Sequence, residues 1–238
     1  MAGGYYTALS GMQARLAALD RLAADIANAG TAGYKTERAA TAQADRPSFG
    51  ALLQSAVDVA DGPARLDLRA GAIAETGRTL DVAIEGSGFF VVDTPAGQRY
   101  TRNGHFLRRA DGTLTTDGGD PVEGANGPIR IAGDPVHIDS DGTIRTGDTV
   151  AGQLKVVQFG GDARLVSEGG ARFRSDATPR PVERPSIRSG ALEQSNVSMV
   201  ERVAELTGVT RNFETLSKAV SVLMNDVDGR AIAELGRR

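Results

Sequence analysis

Leu9-Ser-Gly-Met12-Gln-Ala-Arg-Leu16-Ala-Ala-Leu19-Asp-Arg-Leu-Ala23-Ala-Asp-Ile26-Ala-Asn28 is the stretch whose reading decides the fold class. Leu9, Met12, Leu16, Leu19, Ala23 and Ile26 recur at spacings of three and four, the seam of a helix that packs on another helix. Gln13, Arg15, Asp20, Arg21 and Asp25 fall between them and are expected to face away. The interspersed alanines raise helix propensity and allow close approach. Asn28-Ala-Gly30 followed by Thr31-Ala-Gly33 is a stop signal, so a helix is predicted from Tyr5 to Asn28. At 1.5 Å per residue it would be about 36 Å long.

The other end of the chain repeats the pattern. Ser198-Met-Val-Glu201 reads as a capping box, with Ser195 and Asn196 as alternative caps. Met199, Val203, Leu206, Phe213, Val220, Met224 and Val227 then fall on one heptad seam, widened by Val209, Leu216 and Leu223. The spacing predicts a helix from near Ser195 to about Asp228, ended or weakened by Gly229, and roughly 50 Å long. A lone pair of such helices leaves much of each apolar stripe wet. Fixing a residue's backbone costs about 1–2 kcal/mol, and burying one Leu or Met returns about 1.5–3 kcal/mol. Order in these ends is therefore expected to need neighbours.

Between the ends lies the grammar of short strands. Leu80-Asp-Val-Ala-Ile-Glu85 alternates, Gly86-Ser-Gly88 turns, and Phe89-Phe-Val-Val92 continues. Arg99–Arg102 and His105–Arg108 flank Asn103-Gly104, a hairpin dipeptide. Turns are predicted at Asp111-Gly112, Asp117-Gly-Gly119 and Asp141-Gly142, and a further strand at Gln153–Phe159. The fold class that follows is α+β: a discontinuous, coiled-coil-like domain of N- and C-terminal helices plus a compact, mostly antiparallel β domain. Residues 1–33 and 195–238 form the terminal helical assembly domain, 34–78 and 187–194 a connector, and 79–186 the β domain. Within the connectors, Phe49–Val57 could make one helical turn, and Pro179, Pro181 and Pro185 favour an extended path.

Composition bounds the function. Thirty glycines with 5% aromatics and no Trp suit a turn-rich β domain with a light core. A formal net charge of −3 points neither to nucleic acid nor to an acidic membrane. The absence of Cys removes disulfides, thiolate metal sites and a Cys nucleophile. No stretch approaches the roughly 18 apolar residues of a membrane span. The N-terminus lacks a basic region followed by an apolar one, so no cleaved secretory signal is expected; taken alone, this reads as cytoplasmic.

Catalytic and ligand motifs are poor. His105 and His137 stand far apart, with no second ligand at metal-site spacing. Asp139-Ser-Asp141-Gly142 starts like a calcium loop but has Val150 where the twelfth-position acid belongs. Gly86-Ser-Gly88 lacks the third glycine and the crossover helix of a dinucleotide fingerprint. Arg164, Arg172, Arg174, Arg180, Arg184 and Arg188 make a basic stretch with Phe173 as its one aromatic, which reads as a solvated face or an interface rim. No catalytic residue, metal, cofactor, small-molecule substrate or nucleic acid is expected.

Ile26-Ala-Asn28 followed by Thr31-Ala-Gly-Tyr-Lys35 resembles the N-terminal signature of flagellar rod and hook proteins. It departs from that pattern at Ala24 and Asp25, where the family usually carries two asparagines. Leu80–Val91, Tyr100-Thr-Arg-Asn-Gly-His-Phe106 with Asp111-Gly-Thr-Leu114, and Gly190-Ala-Leu-Glu-Gln-Ser-Asn-Val197 resemble further family segments in the same order. The resemblance implies a structural subunit of the basal-body rod. Its terminal helices would line the inner tube, its β domain would lie outside, and it would transmit torque from motor to hook. The proximal-rod type is favoured over the distal-rod or hook-like types. Implied partners are copies of itself, other rod proteins and the flagellar type III export apparatus. The implied location is a rod crossing the periplasm, reached without a cleaved signal. The expected assembly interface is Leu9, Met12, Leu16, Leu19, Ile26 and Asn28 with Met199, Val203, Leu206, Phe213, Val220 and Met224. Two other classes stand beside this one. A wall hydrolase would need a cleft with paired carboxylates, and an extracellular binding module would use its helices as a simple coiled-coil dimer.

Overall fold

Phe89-Phe-Val-Val92 is the centre of the β structure, and its side chains alternate between two cores. Phe90 and Val92 enter a large cluster with Val82, Ile84, Phe106, Leu114 and Ile144. Phe89 and Val91 enter a smaller one with Tyr100, Val157, Leu165 and Phe173. A strand buried on both faces has no polar alternation, which explains the unbroken apolar run. The computed structural model describes residues 2–38, 65–161 and 163–235. The turn considered at Phe49–Val57 lies outside the described residues.

The largest sheet has six antiparallel strands, in the spatial order Leu165–Ser167, Arg172–Ser175, Gly97–Thr101, Phe89–Thr94, Val156–Gln158 and Arg180–Pro181. A three-stranded sheet follows from Val136–Ile138, Thr143–Thr146 and Thr149–Gln153. Ser186–Ser189 pairs with Val82–Glu85, and Ala191–Glu193 pairs with Ile73–Glu75. The stretch around residues 187–194 is thus strand, tied into the β structure by backbone pairing across about a hundred residues of chain.

Asn103-Gly104 does not close a hairpin. The strand before it, Gly97–Thr101, pairs instead with Phe89–Thr94 and Arg172–Ser175, and the tight turn falls at Pro95-Ala96. Gly104 is needed for contact rather than for turning. A Cβ there would lie 1.8 Å from the Val82 carbonyl oxygen, and the Gly104 carbonyl accepts the Val82 N–H at 3.0 Å. Asp111-Gly112 and Asp141-Gly142 do turn hairpins, each Asp side chain accepting the N–H two residues on, at 3.0 and 2.9 Å.

Two helices complete the described residues, α1 at Ala2–Ala27 and α2 at Met199–Leu235. Gly229 does not end α2, because an isolated glycine costs a helix only about 1 kcal/mol when its neighbours are good helix formers. The chain divides into two compact units. One holds α1 and the residues from Ser198 onward, and the other holds residues 28–38 and 65–197.

Candidate assembly site

Two constructions matter here, one in each unit. The first is a clasp in the β unit, where the segment that follows α1 meets the segment that precedes α2. Gly33 takes the left-handed conformation at φ 69° and donates its N–H to the Glu193 carbonyl at 2.8 Å. That turn aims Lys35 inward, where it is 1% exposed. Its Nζ donates to the Arg69 carbonyl at 2.7 Å and pairs with Glu193 Oε1. Gly71 N–H donates to the same Oε1 at 3.0 Å. Glu193 Oε2 takes Arg102 Nη1 at 3.0 Å, so one buried carboxylate stands between two buried cations. Arg102 also donates Nη2 to the Gly86 carbonyl at 2.6 Å and lies 5.4 Å from the Phe89 ring centroid, a cation–π distance. Burial pulls the Lys35 ammonium below the ordinary lysine range, while the hydrogen bond and charge of Glu193 oppose it.

Asn196 completes the clasp. Its Oδ1 accepts the Thr36 N–H at 2.9 Å, and its Nδ2 donates to the Asp67 and Arg69 carbonyls at 2.8 and 3.2 Å. By sequence alone Asn196 is an alternative helix cap. It caps nothing, because its side chain is spent on these three backbone groups. Asn196→Ala is expected to cost about 1–3 kcal/mol, the penalty for stranding such groups, read as a lowered urea midpoint. Asp67 sits beside the clasp, its carboxyl held below the usual carboxylate range chiefly by the hydrogen bond from Arg69.

The second construction is the helix pair. The end of α1 meets the start of α2 and the two pack side by side, so they run antiparallel. Among the described side chains of α1, Leu22 and Asp25 are buried, at 7% and 1% exposure. Met12, Leu19 and Ile26 are half-buried, as is Asn28, which follows the helix and accepts the Thr31 hydroxyl at 3.2 Å. On α2 the half-buried line is Arg202, Leu206, Val209 and Phe213. Leu16, Met199 and Val203 point outward at about half exposure, and Val200 is 81% exposed. The side chains of Leu9, Val220 and Met224 lie outside the described residues. Asp25 corrects the expectation that it faces away. It is buried, with Arg202 Nε 3.5 Å from its Oδ2.

The sequence-predicted seams missed Leu22, Asp25 and Arg202 because a periodicity places a stripe without saying which edge of it meets the partner. They missed Glu193 and Arg102 because a charged residue in a strand reads as solvent-facing. The one available signal was that Lys35, Arg102 and Glu193 each stand inside a family-like segment. His105 is a structural tie, its Nδ1 2.7 Å from Asp81 Oδ1.

An α+β chain whose ends are clasped together and carry helices with apolar faces left open has the build of a filament subunit. Family models agree on which filament. Residues 6–35 match the flagella basal body rod protein model, 83–146 the flagellar hook protein FlgE/F/G D1 domain, and 188–225 the flagellar basal body rod FlgEFG protein C-terminal model. The chain is 32% identical to the flagellar basal-body rod protein FlgF of Mesorhizobium japonicum, over 100% of both chains. It is 35% identical to FlgF of Salmonella typhimurium over 95% of both, and 30% identical to the rod protein FlgG of Bacillus subtilis over 91% of this chain and 93% of that one. The chain belongs to the flagellar basal-body rod protein family, on its FlgF-like side, and is a structural subunit of the rod.

Proposed function

We infer that this chain self-assembles in the proximal rod through its terminal helices and transmits torque from motor to hook. Residues 1–33 and 195–238 form the assembly unit, coiled-coil-like once neighbours are in place. The observation that carries the reading is the apolar surface left over when α1 and α2 have packed. Leu16, Met199, Val200 and Val203 are exposed on elements already paired. Exposed apolar groups of this size on paired helices suit a further helix from another copy. Close-packed interfaces deform little under load, which suits a shaft. The remaining interface residues, Leu9, Met12, Leu19, Ile26, Asn28, Leu206, Phe213, Val220 and Met224, divide between contacts within and between subunits. Other rod proteins are the further partners, and export through the flagellar apparatus without a cleaved signal delivers the chain to the periplasm-crossing rod. The role is mechanical rather than enzymatic.

Leu16→Asp and Val203→Asp test this. Both sites are exposed, so unfolding free energy should change by no more than about 0.5 kcal/mol. Rod assembly and swimming should nonetheless be lost in a host whose own copy is replaced. Normal swimming with either variant counts against the reading.

A further inference from the structure

We propose that Asp25 and Arg202 form a matched charge pair that commits α1 to α2 of its own chain in one register, keeping α1 off the apolar surface reserved for a neighbouring subunit. The Asp25 carboxylate is 2% exposed and the Arg202 side chain 13%, with 3.5 Å between Oδ2 and Nε. Each charge is on the wrong end of its own helix. Asp25 lies in the last turn of α1, where the helix dipole favours cations, and Arg202 lies in the first turn of α2, where it favours anions. Neither is a capping device, and the pairing offsets both unfavourable placements. Glu205, one turn on, also pairs with Arg202 and helps hold its guanidinium in place.

The apolar residues beside the pair explain what it does. Met199, Val200 and Val203 surround Arg202 in sequence and are exposed. Shifted onto them, α1 would gain apolar contact but would carry the Asp25 carboxylate away from the Arg202 guanidinium and against methyl groups. Separating the members of a buried charge pair is among the costlier changes in a protein interior. The polar residue in an otherwise apolar seam thereby sets the alignment, as such residues do in helix pairs generally. The departure from the family pattern at Asp25 is then matched by its partner on α2.

Reversing the pair provides the test. The pairing stands on the geometry alone, and only its service to assembly rests on the rod reading. In the full-length chain, Asp25→Arg and Arg202→Asp are each expected to lower the helical melting transition by about 5 °C, and the double variant to restore it. If each charge acted only on its own helix dipole, both single variants would melt higher, and that result overturns the proposal. So does a double variant that stays as low as the singles. Should the charge-reversed singles fail to fold, Asp25→Asn is measured in the wild-type and Arg202→Gln backgrounds. A larger loss in the wild type is expected, and equal losses overturn the pairing. A host making wild-type and pair-reversed chains together should swim normally, because each chain satisfies its own pair. Swimming lost in the mixture but kept with either chain alone would place the pair between subunits and overturn the own-chain assignment. A passed melting cycle in a chain whose deletion leaves swimming intact would instead count against the rod reading alone.

Discussion

Glu193→Leu is expected to unfold the clasp, with a loss of about 3–5 kcal/mol, the range for removing one member of a buried charged network. Glu193 is the only anion between Lys35 Nζ and Arg102 Nη1 among the described contacts of those two side chains. Leucine would leave two cations facing one another across an apolar gap, and the Gly71 N–H without its acceptor. Against a typical total of about 5–15 kcal/mol, that is a large fraction of a protein's stability. Lys35→Met should cost less. It leaves Glu193 paired with Arg102 and Gly71, and the Arg69 carbonyl keeps the Asn196 amide as a donor. The ranking is read from urea titration followed by near-ultraviolet circular dichroism, to which the buried Tyr100 contributes. A Lys35→Met chain less stable than the Glu193→Leu chain would show that the carboxylate is not the centre of the network.

Gly33→Ala is expected to be nearly as damaging for a different reason. An alanine Cβ would lie 2.2 Å from the Asn103 nitrogen and 2.3 Å from the Arg102 carbonyl carbon, both backbone atoms that cannot swing aside. The residue also holds a left-handed φ of 69°, which by itself strains an L side chain. Gly77 is the control, since it shares the left-handed φ, at 75°, but an added Cβ there meets nothing within 4 Å. Gly77→Ala should cost about 1–2 kcal/mol, the strain alone. Gly33→Ala should cost upwards of about 3 kcal/mol, because the segment must lift and take Lys35 out of its pocket. Trypsin provides a direct readout. The Lys35–Thr36 bond, closed in the wild type by burial of both residues, should become a cleavage site in Gly33→Ala and stay closed in Gly77→Ala. Equal stability of the two variants would mean that the close approach to Arg102 and Asn103 does not hold the clasp.

Both effects follow from contacts that no local pattern announces. Phe89-Phe-Val-Val92 could be read as a buried strand because it is apolar on both faces, and α1 could be read from its three-and-four spacing. Asn103-Gly104 misled, since the dipeptide favours a hairpin, whereas pairing with Phe89–Thr94 and Arg172–Ser175 used the preceding strand differently. Asp25 misled for a related reason. A carboxylate on a helix reads as solvent-facing until a cation on another element is known to stand over it.

Backbone geometry repeats every few residues, so the sequence alone determined that the ends are helical, that the middle is β, and that the chain is built from rod-family segments. The tertiary structure decided which edge of each helix is buried, which charges meet, and which apolar residues remain open. Lys35 and Glu193 are 158 positions apart, and the energy of their pairing depends on burial that only the assembled fold creates. Periodicity is a property of one segment, whereas a buried charge pair is a property of two segments and of the water they exclude.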